Sequence, residues 1–232
     1  MIDLHTHILP GIDDGAKDVS QSVQMLMDSY SQGVTLCAAT PHCCLHADNS
    51  VDEFLAKRDE AYSQLMQNLS NLQVPRIITG AEVYMDNDIS RYDGIERLCI
   101  GGSRFMLVEF PFTSFDPEYS EWLYNLNLKE IIPVIAHIDR YDYHDDLIAS
   151  FSGVRIVYQV NNIRAHDIRG RRFIKKLLGT GYMVIMSSDM HNTDTRPCDM
   201  KKSYDVLCKR MPKYADDLYI NNAGIIIENC VG

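Results

Sequence analysis

Apolar residues along this chain gather into seven short runs: Ile2 with Leu4, then residues 34–39, 77–79, 105–110, 131–136, 155–160 and 183–186. Polar or turn residues bound each run. Continuous apolar runs of this length read as strands covered on both faces, the condition of a parallel sheet. Longer amphipathic stretches separate them. Residues 18–32 begin with the capping side chain of Asp18, place Val19, Val23, Leu26, Met27 and Tyr30 on one helical face, and stop at Gly33. Residues 51–72 predict a second helix, with Phe54, Leu55, Ala61, Leu65 and Leu69 as its apolar side. Further helices are expected over residues 118–126, 144–151, 168–178, 201–211 and 215–222, the third of these closing at Gly179.

Strand and helix in repetition predict an α/β fold whose parallel strands are joined by right-handed crossovers. No glycine-rich dinucleotide fingerprint follows the first strand, which favours a TIM-like barrel over a Rossmann sheet. Neither a linker, a low-complexity run nor an internal repeat divides the sequence, so residues 1–232 read as one domain. With 46% hydrophobic residues, that length suffices for one sizeable core.

A formal net charge of −10 argues against nucleic acid as a partner. The seven cysteines, at positions 37, 43, 44, 99, 198, 208 and 230, are odd in number and irregularly spaced, without a C-x-x-C. A reducing, cytoplasmic compartment fits that usage better than a disulfide framework or a zinc ribbon. Cys43 and Cys44 follow His42 closely, but ordinary loop or buried thiols are the favoured reading over thiolate ligands. No apolar run approaches the ~20 residues needed to span a bilayer, and the N-terminus lacks a basic, apolar leader pattern. A protein that is not membrane-embedded is therefore expected.

Polar residues after the strand candidates carry the chemistry. His5-Thr6-His7 follows the first run, with Asp14 in the loop beyond it. His42 follows the second, Glu82 the third, Glu109 ends the fourth, His137 the fifth, and Asp189 with His191 the seventh. Active sites of such barrels are assembled at the C-terminal ends of the strands, where these nine imidazoles and carboxylates recur. So many donors exceed the needs of one first-row ion and suit two or three, held with a bridging carboxylate. Nitrogen and oxygen donors without thiolate suit manganese, iron or zinc. Phosphate-ester hydrolysis is the chemistry such a centre suggests, with amide hydrolysis as the competitor. Arg140 and Arg196 lie shortly after His137 and His191, and guanidinium forks match phosphate geometry, which favours the phosphate ester.

The segment Asp3-Leu4-His5-Thr6-His7, followed by Gly11-Ile12-Asp13-Asp14-Gly15-Ala16, resembles the start of the PHP (polymerase and histidinol phosphatase) superfamily. More narrowly, residues 7–15 are similar to the opening of the bacterial manganese-dependent tyrosine-protein phosphatases of capsular and exopolysaccharide operons. Ala39-Thr40-Pro41-His42, Gly80-Ala81-Glu82-Val83-Tyr84, Val108-Glu109-Phe110-Pro111, residues 133–137 and Ser187-Ser188-Asp189-Met190-His191-Asn192 continue the likeness in order. It runs from the first residue to about Pro197, and the last thirty-five residues carry no motif.

The resemblance implies a distorted (β/α)7 barrel, the PHP fold, holding three divalent ions, with manganese foremost and iron or zinc as alternatives. His5, His7, Glu82 and Asp189 would hold one ion, and Glu82 would bridge to a second completed by Glu109 and His137. Asp14, His42 and His191 would hold the third. Arg140 and Arg196 would bind the phosphoryl group, and a metal-bridging hydroxide would attack phosphorus without a phosphoenzyme. The implied substrate is a phosphotyrosine protein, including the tyrosine-rich tail of a bacterial autokinase of polysaccharide assembly.

Two departures stand out. The family usually follows its fifth-strand histidine with Pro-Glu-Arg-Tyr, where this chain has Ile138-Asp139-Arg140-Tyr141, a change that could alter how Arg140 is oriented. Met190 replaces a small residue between Asp189 and His191, and strand alternation turns it away from the site. Pro111-Phe112-Thr113-Ser114-Phe115 reads either as an aromatic wall for a phenolic leaving group or as packing. Two other functions compete: a small-molecule phosphatase of the histidinol-phosphate type, and a catalytically idle PHP module with a regulatory role. The loop at residues 9–15 favours the tyrosine phosphatase over the first, and nine intact ligand positions disfavour the second.

Overall fold

Helices start where the sequence supplies a cap. Asp18 accepts a hydrogen bond from the Gln21 amide to open α1 (Val19–Ser31), and Ser50 with Glu53 forms a reciprocal capping box at α2 (Val51–Met66). Asp167 caps α5 (Ile168–Leu178) in the same way through the Gly170 amide. The remaining helices are α3 (Tyr119–Leu128), α4 (His144–Ser150), α6 (Met200–Arg210) and α7 (Asn222–Glu228). The computed structural model describes residues 1–46 and 50–229, so Cys230 lies outside the described residues. No helix is long and apolar enough among them to cross a membrane.

Strands β1 (Ile2–Thr6), β2 (Leu36–Ala39) and β4 (Arg76–Thr79) form one parallel sheet. Strands β3 (His42–Cys44), β5 (Glu82–Tyr84), β6 (Phe105–Glu109), β7 (Ile132–Ile135), β8 (Val157–Asn161) and β9 (Met183–Ser187) form a second. The two sheets are pieces of one ring. β2 runs into β3 across Thr40-Pro41 and β4 into β5 across Gly80-Ala81, where Pro41 has no N–H to give to a ladder. Glu82 N still donates to Pro41 O at 3.0 Å, and Gly80 N to Ala39 O at 2.9 Å. Counting each interrupted pair once leaves the seven strands expected from the apolar runs. Past the end of β9, Met190 makes a parallel bridge to Thr6, and among the described residues the ring is a distorted barrel without a continuous closing ladder.

Residues alternate along the strands between the barrel lumen and the helices. Leu4, Leu36, Ala38, Phe105, Leu107, Val134, Ala136, Val157 and Ile185 form the inner cluster. Ala223 and Ile226 of α7 pack into that same cluster, so the C-terminal helix, which carries no motif, joins the inner core. The larger outer core, including Met25, Leu26, Leu55, Leu65, Leu123, Ile174 and Leu207, lies between helices and strands.

Several boundaries differ from those expected. α2 stops at Met66, because residues 67–72 turn back through Asn71 at a φ of 65°, while Leu69 still packs inward. His42–Cys44 and Glu82–Tyr84 pair as strands, although both lie outside the apolar runs expected to form strands. The last helical stretch reaches Glu228, beyond the predicted stop at residue 222. Cys37, Cys43, Cys99 and Cys198 are buried free thiols, while exposed Cys44 has its Sγ 2.9 Å from His46 Nε2.

Candidate metal centre

Inward alternation places most of the candidate donors. Continuing the lumen positions by twos, Ala38 leads to Thr40 and His42, Ile78 to Gly80 and Glu82, Leu107 to Glu109, and Ile185 to Ser187 and Asp189. Three donors break the rule, His7 sharing the parity of His5. His5 follows the inward Leu4 directly, and the β1–β2 register shifts between Asp3 and Thr6, which re-aims the ring. His137 follows the inward Ala136 directly and takes a left-handed φ of 30°. Asp189 is also left-handed, at a φ of 55°. Non-glycine residues avoid that region, so both side chains are aimed at a cost that the surrounding packing sustains.

The nine residues converge at one end of the lumen. His5 Nε2 lies 3.2 Å from Glu82 Oε2, 3.4 Å from Asp189 Oδ1 and 3.2 Å from His7 Nε2. His7 Nε2 is 3.2 Å from the same Glu82 oxygen. His137 Nε2 sits 3.0 Å from Glu82 Oε1 and 3.2 Å from Glu109 Oε1. His42 faces two ways, with Nδ1 3.0 Å from Glu82 Oε2 and Nε2 3.2 Å from Asp14 Oδ1, which is itself 3.3 Å from His191 Nε2. His5, His7, Glu82, Glu109, His137, Asp189 and His191 are buried, whereas the side chains of His42 and Asp14 are 38% and 65% exposed. The cluster thus has a closed floor and an open rim.

Mutual charge sets the protonation of the ion-free cluster. Burial opposes charge on His5, but the Glu82 and Asp189 carboxylates outweigh it and raise its pKa to about 10. His42, likewise desolvated, is raised to about 9 by Glu82 and Glu109. Burial would lift the Glu82 carboxyl, yet His5, His137 and His42 hold it well below the usual range. Asp189 is lowered against its own burial by His5 and His137. Burial and the neighbouring His7 push His191 down to about 4. The carboxylates therefore favour the protonated form of His5 and His42, while His191 favours the neutral form.

These groups fit metal ions. Glu82 Oε2 and His191 Nε2 are buried in close ionic contacts but without an aligned hydrogen bond, a state that coordination would relieve. Three sets of donor atoms lie within 4.8 Å of one another: His7, Asp14, His42 and His191; His5, His7 and Asp189; and His42, Glu82 and Glu109. Imidazole and carboxylate donors at such spacing suit first-row divalent ions.

Both candidate arginines stand at the rim. Arg196 Nη2 donates to Asp189 Oδ2 at 2.8 Å, and Arg140 Nη1 reaches the same oxygen at 3.4 Å. Arg140 lies over the Phe112 ring, with Cζ 4.7 Å from its centroid. Phe112 in turn stacks on His137 and Tyr141 at 5.5 and 5.3 Å, whereas Phe115 packs against Tyr119 and Tyr143. The aromatic stretch thus divides into one rim residue and one packing residue. Met190 is buried and its sulfur accepts from Ser29 Oγ at 3.4 Å, away from the cluster. Asp139, in place of the expected glutamate, accepts from Asn161 N at 2.9 Å and pairs with Arg164 at 3.3 Å.

Three supporting residues were missed from sequence. Asp13 accepts from His7 Nδ1 at 2.7 Å, from His42 N at 3.1 Å and from Gly15 N at 2.9 Å. Gln159 Oε1 lies 3.1 Å from His5 Nδ1, and Asn161 Nδ2 donates to Asp189 Oδ2 at 3.0 Å. Gln159 and Asn161 continue the inward positions of β8 from Val157, the one strand without a candidate donor. A buried glutamine in an apolar run, at the parity that bears ligands elsewhere, was the available signal.

Comparison with known proteins gives the family and the fold of the chain. A family model described as capsular polysaccharide synthesis, CpsB/CapC, matches residues 1–228. The chain is 30% identical over 239 residues to the tyrosine-protein phosphatase YwqE of Bacillus subtilis (strain 168), covering 99% of this chain and 92% of that protein. It is 29% identical to the tyrosine-protein phosphatase CpsB of Streptococcus pneumoniae, covering 98% of both. A solved structure described under unique metal-dependent tyrosine phosphatases, YwqE from Bacillus subtilis and CpsB from Streptococcus pneumoniae, superposes with a TM-score of 0.81. That match covers 100% of this chain and 96% of the other at 24% identity, and it shows the same fold.

Proposed function

The chain belongs to the CpsB/CapC family of capsular polysaccharide synthesis, and from that premise we propose that it is a metal-dependent protein-tyrosine phosphatase. Its substrate is phosphotyrosine on proteins, foremost a tyrosine autokinase of polysaccharide assembly. One observation carries the reading: nine imidazole and carboxylate donors converge, seven of them buried, with two guanidiniums at the open rim. The names of the relatives support the same activity.

We assign His5, His7, Glu82 and Asp189 to one ion, Glu82, Glu109 and His137 to a second, and Asp14, His42 and His191 to a third, with manganese as the resident metal. Bound ions supply Lewis-acid charge at the phosphoryl oxygens and a water acidic enough to attack at neutral pH. The chain's own residues do the rest. Arg140 and Arg196 clamp the phosphoryl oxygens by charge-assisted hydrogen bonds, both forks already pointing to the Asp189 edge of the floor. Phe112, 41% exposed and held against His137, offers its face to the phenol ring of the substrate. Asp13 fixes the His7 ring through Nδ1 and leaves Nε2 to face the cluster. Residues 1–232 act as one domain, in the cytoplasm.

The test is a substrate panel on protein stripped of metal and reloaded with manganese. A phosphotyrosine peptide should be turned over far faster than histidinol phosphate, and chelation should remove nearly all activity. Equal or faster turnover of histidinol phosphate would move the protein to the small-molecule phosphatases.

A further inference from the structure

Charge on one flank of the barrel runs against the sign of the whole chain. The sequence has 32 acidic and 22 basic residues, yet α5 carries five cations in eleven positions and no acid. Ile168, Arg171, Arg172 and Lys175 recur at i, i+3, i+4 and i+7, which is one helical face. With Arg210 and Met211 from the end of α6 they line an open cleft of about 280 Å³, and no carboxylate lines it. Lys209 and Lys213 extend the exposed basic surface past α6.

What sets the patch apart is that its unpaired cations are gathered on one face instead of being scattered or matched by acids. Arg58, Arg91, Arg97 and Arg164 each find an aspartate, and Lys176 at the edge of the patch pairs with Asp145. Among the described residues no ion pair engages Arg169, Arg172, Lys175, Lys209, Arg210 or Lys213. Left unneutralised, like charges this close repel one another and wait for an anionic surface. Exposed apolar side chains neighbour them in sequence: Ile168 at 58% and Tyr214 at 39%.

We propose that this α5 flank docks the protein on a membrane surface rich in anionic lipid. Spread, flexible, exposed cations suit many mobile headgroups, whereas a discrete phosphate ligand calls for buried, fixed donors. Exposed Ile168 among them suits the interfacial zone of a bilayer and has no use against a nucleic-acid backbone. The cations that line the cleft are none of the residues assigned to the candidate site.

Co-sedimentation with vesicles tests the proposal on the full chain. Vesicles with about 30% phosphatidylglycerol should bind at least about tenfold more protein than phosphatidylcholine alone. Binding should be lost near ~0.5 M NaCl, where exposed charges are screened. Arg172→Glu with Lys175→Glu should abolish binding while turnover of p-nitrophenyl phosphate stays at the wild-type level. Three results would each overturn it: no preference for anionic vesicles, undiminished binding of the charge-reversed protein, or capture by DNA or an acidic polypeptide without capture by vesicles.

Discussion

Asp13→Asn is the sharpest perturbation of the centre, because one carboxylate serves two candidate ligands and a turn. Its Oδ2 accepts from the His7 ring and from the His42 amide, and its Oδ1 accepts from the Gly15 amide. An asparagine has one acceptor oxygen. If that oxygen takes the Oδ2 place, its NH2 meets the Gly15 N–H; if it takes the Oδ1 place, the NH2 meets both His7 Nδ1–H and His42 N–H. Either way a poorly solvated N–H faces a donor, which costs about 1–3 kcal/mol, and the bond to His7 loses its charge assistance. The clash with a backbone N–H is there with or without the ion and costs stability; the lost charge assistance to His7, which must keep Nδ1–H toward residue 13 and Nε2 toward the ion, is what falls on the loaded protein.

Taking about 2 kcal/mol as the net loss, and 1.4 kcal/mol per decade, metal affinity should fall roughly thirtyfold. That lies inside the 10–100-fold range usual for partners behind a ligand. Calorimetric titration of the chelated protein with Mn2+ reads the dissociation constant directly, and thermal melts of the ion-free forms check that the fold survives. Turnover at saturating metal should recover to within a few fold. A dissociation constant within twofold of wild type would show that Asp13 does not hold His7 for the metal.

Other outcomes follow from the same geometry. A Cβ on Gly15 would stand 2.2 Å from His7 O and 2.5 Å from His7 Cβ, so Gly15→Ala should displace His7, cost at least about 2 kcal/mol in urea unfolding, and weaken metal binding. Arg196→Ala should lower kcat by about a hundredfold or more with metal affinity little changed, and loss of the metal instead would reassign Arg196 to the fold. His5 and His42 have folded pKa values raised to about 10 and about 9. The stability they lend the ion-free protein is therefore complete below about pH 6.5 and drains away as pH rises through 9 and 10. Melts of chelated protein between pH 7 and 10 should show that fall. Manganese binding at pH 7.5 should release about two protons, readable as a buffer-dependent heat, because ions displace the protons on those rings.

Much of this architecture was legible in the chain because the signals were local. Seven apolar runs, the caps at Asp18 and the stop at Gly33 depend on near neighbours, and the strands and helices follow them. What escaped depends on pairing. His42–Cys44 and Glu82–Tyr84 are too short and polar to read as strands alone, and they exist because each extends a neighbour's ladder past a break at Pro41 or Gly80. The 3₁₀ turns over Ile89–Arg91, Ile95–Leu98 and Ile100–Gly102 escaped for a similar reason: Ile100 fills the inner cluster beside β6, a tertiary role without a sequence period.

At the candidate centre the legible part was the donors and the hidden part was their aim. Imidazoles and carboxylates after strands declare themselves, and simple alternation carries His42, Glu82, Glu109 and Asp189 into the lumen. His5 and His137 sit one residue out of phase with Leu4 and Ala136, so alternation alone would turn them toward the helices. A register shift in β1 corrects the first and a left-handed backbone corrects the second. Gln159 links those two corrections: its Oε1 meets His5 Nδ1 and also accepts from the His137 amide, next to the strained φ. Gln159→Leu removes that acceptor at nearly constant volume, leaving the buried His137 N–H unpaired at a cost of about 1–3 kcal/mol. His137 and His5 should then relax toward their in-phase directions, with unfolding free energy and Mn2+ affinity falling together. A variant that kept wild-type metal affinity while losing stability would show that the two histidines are aimed by the strands alone.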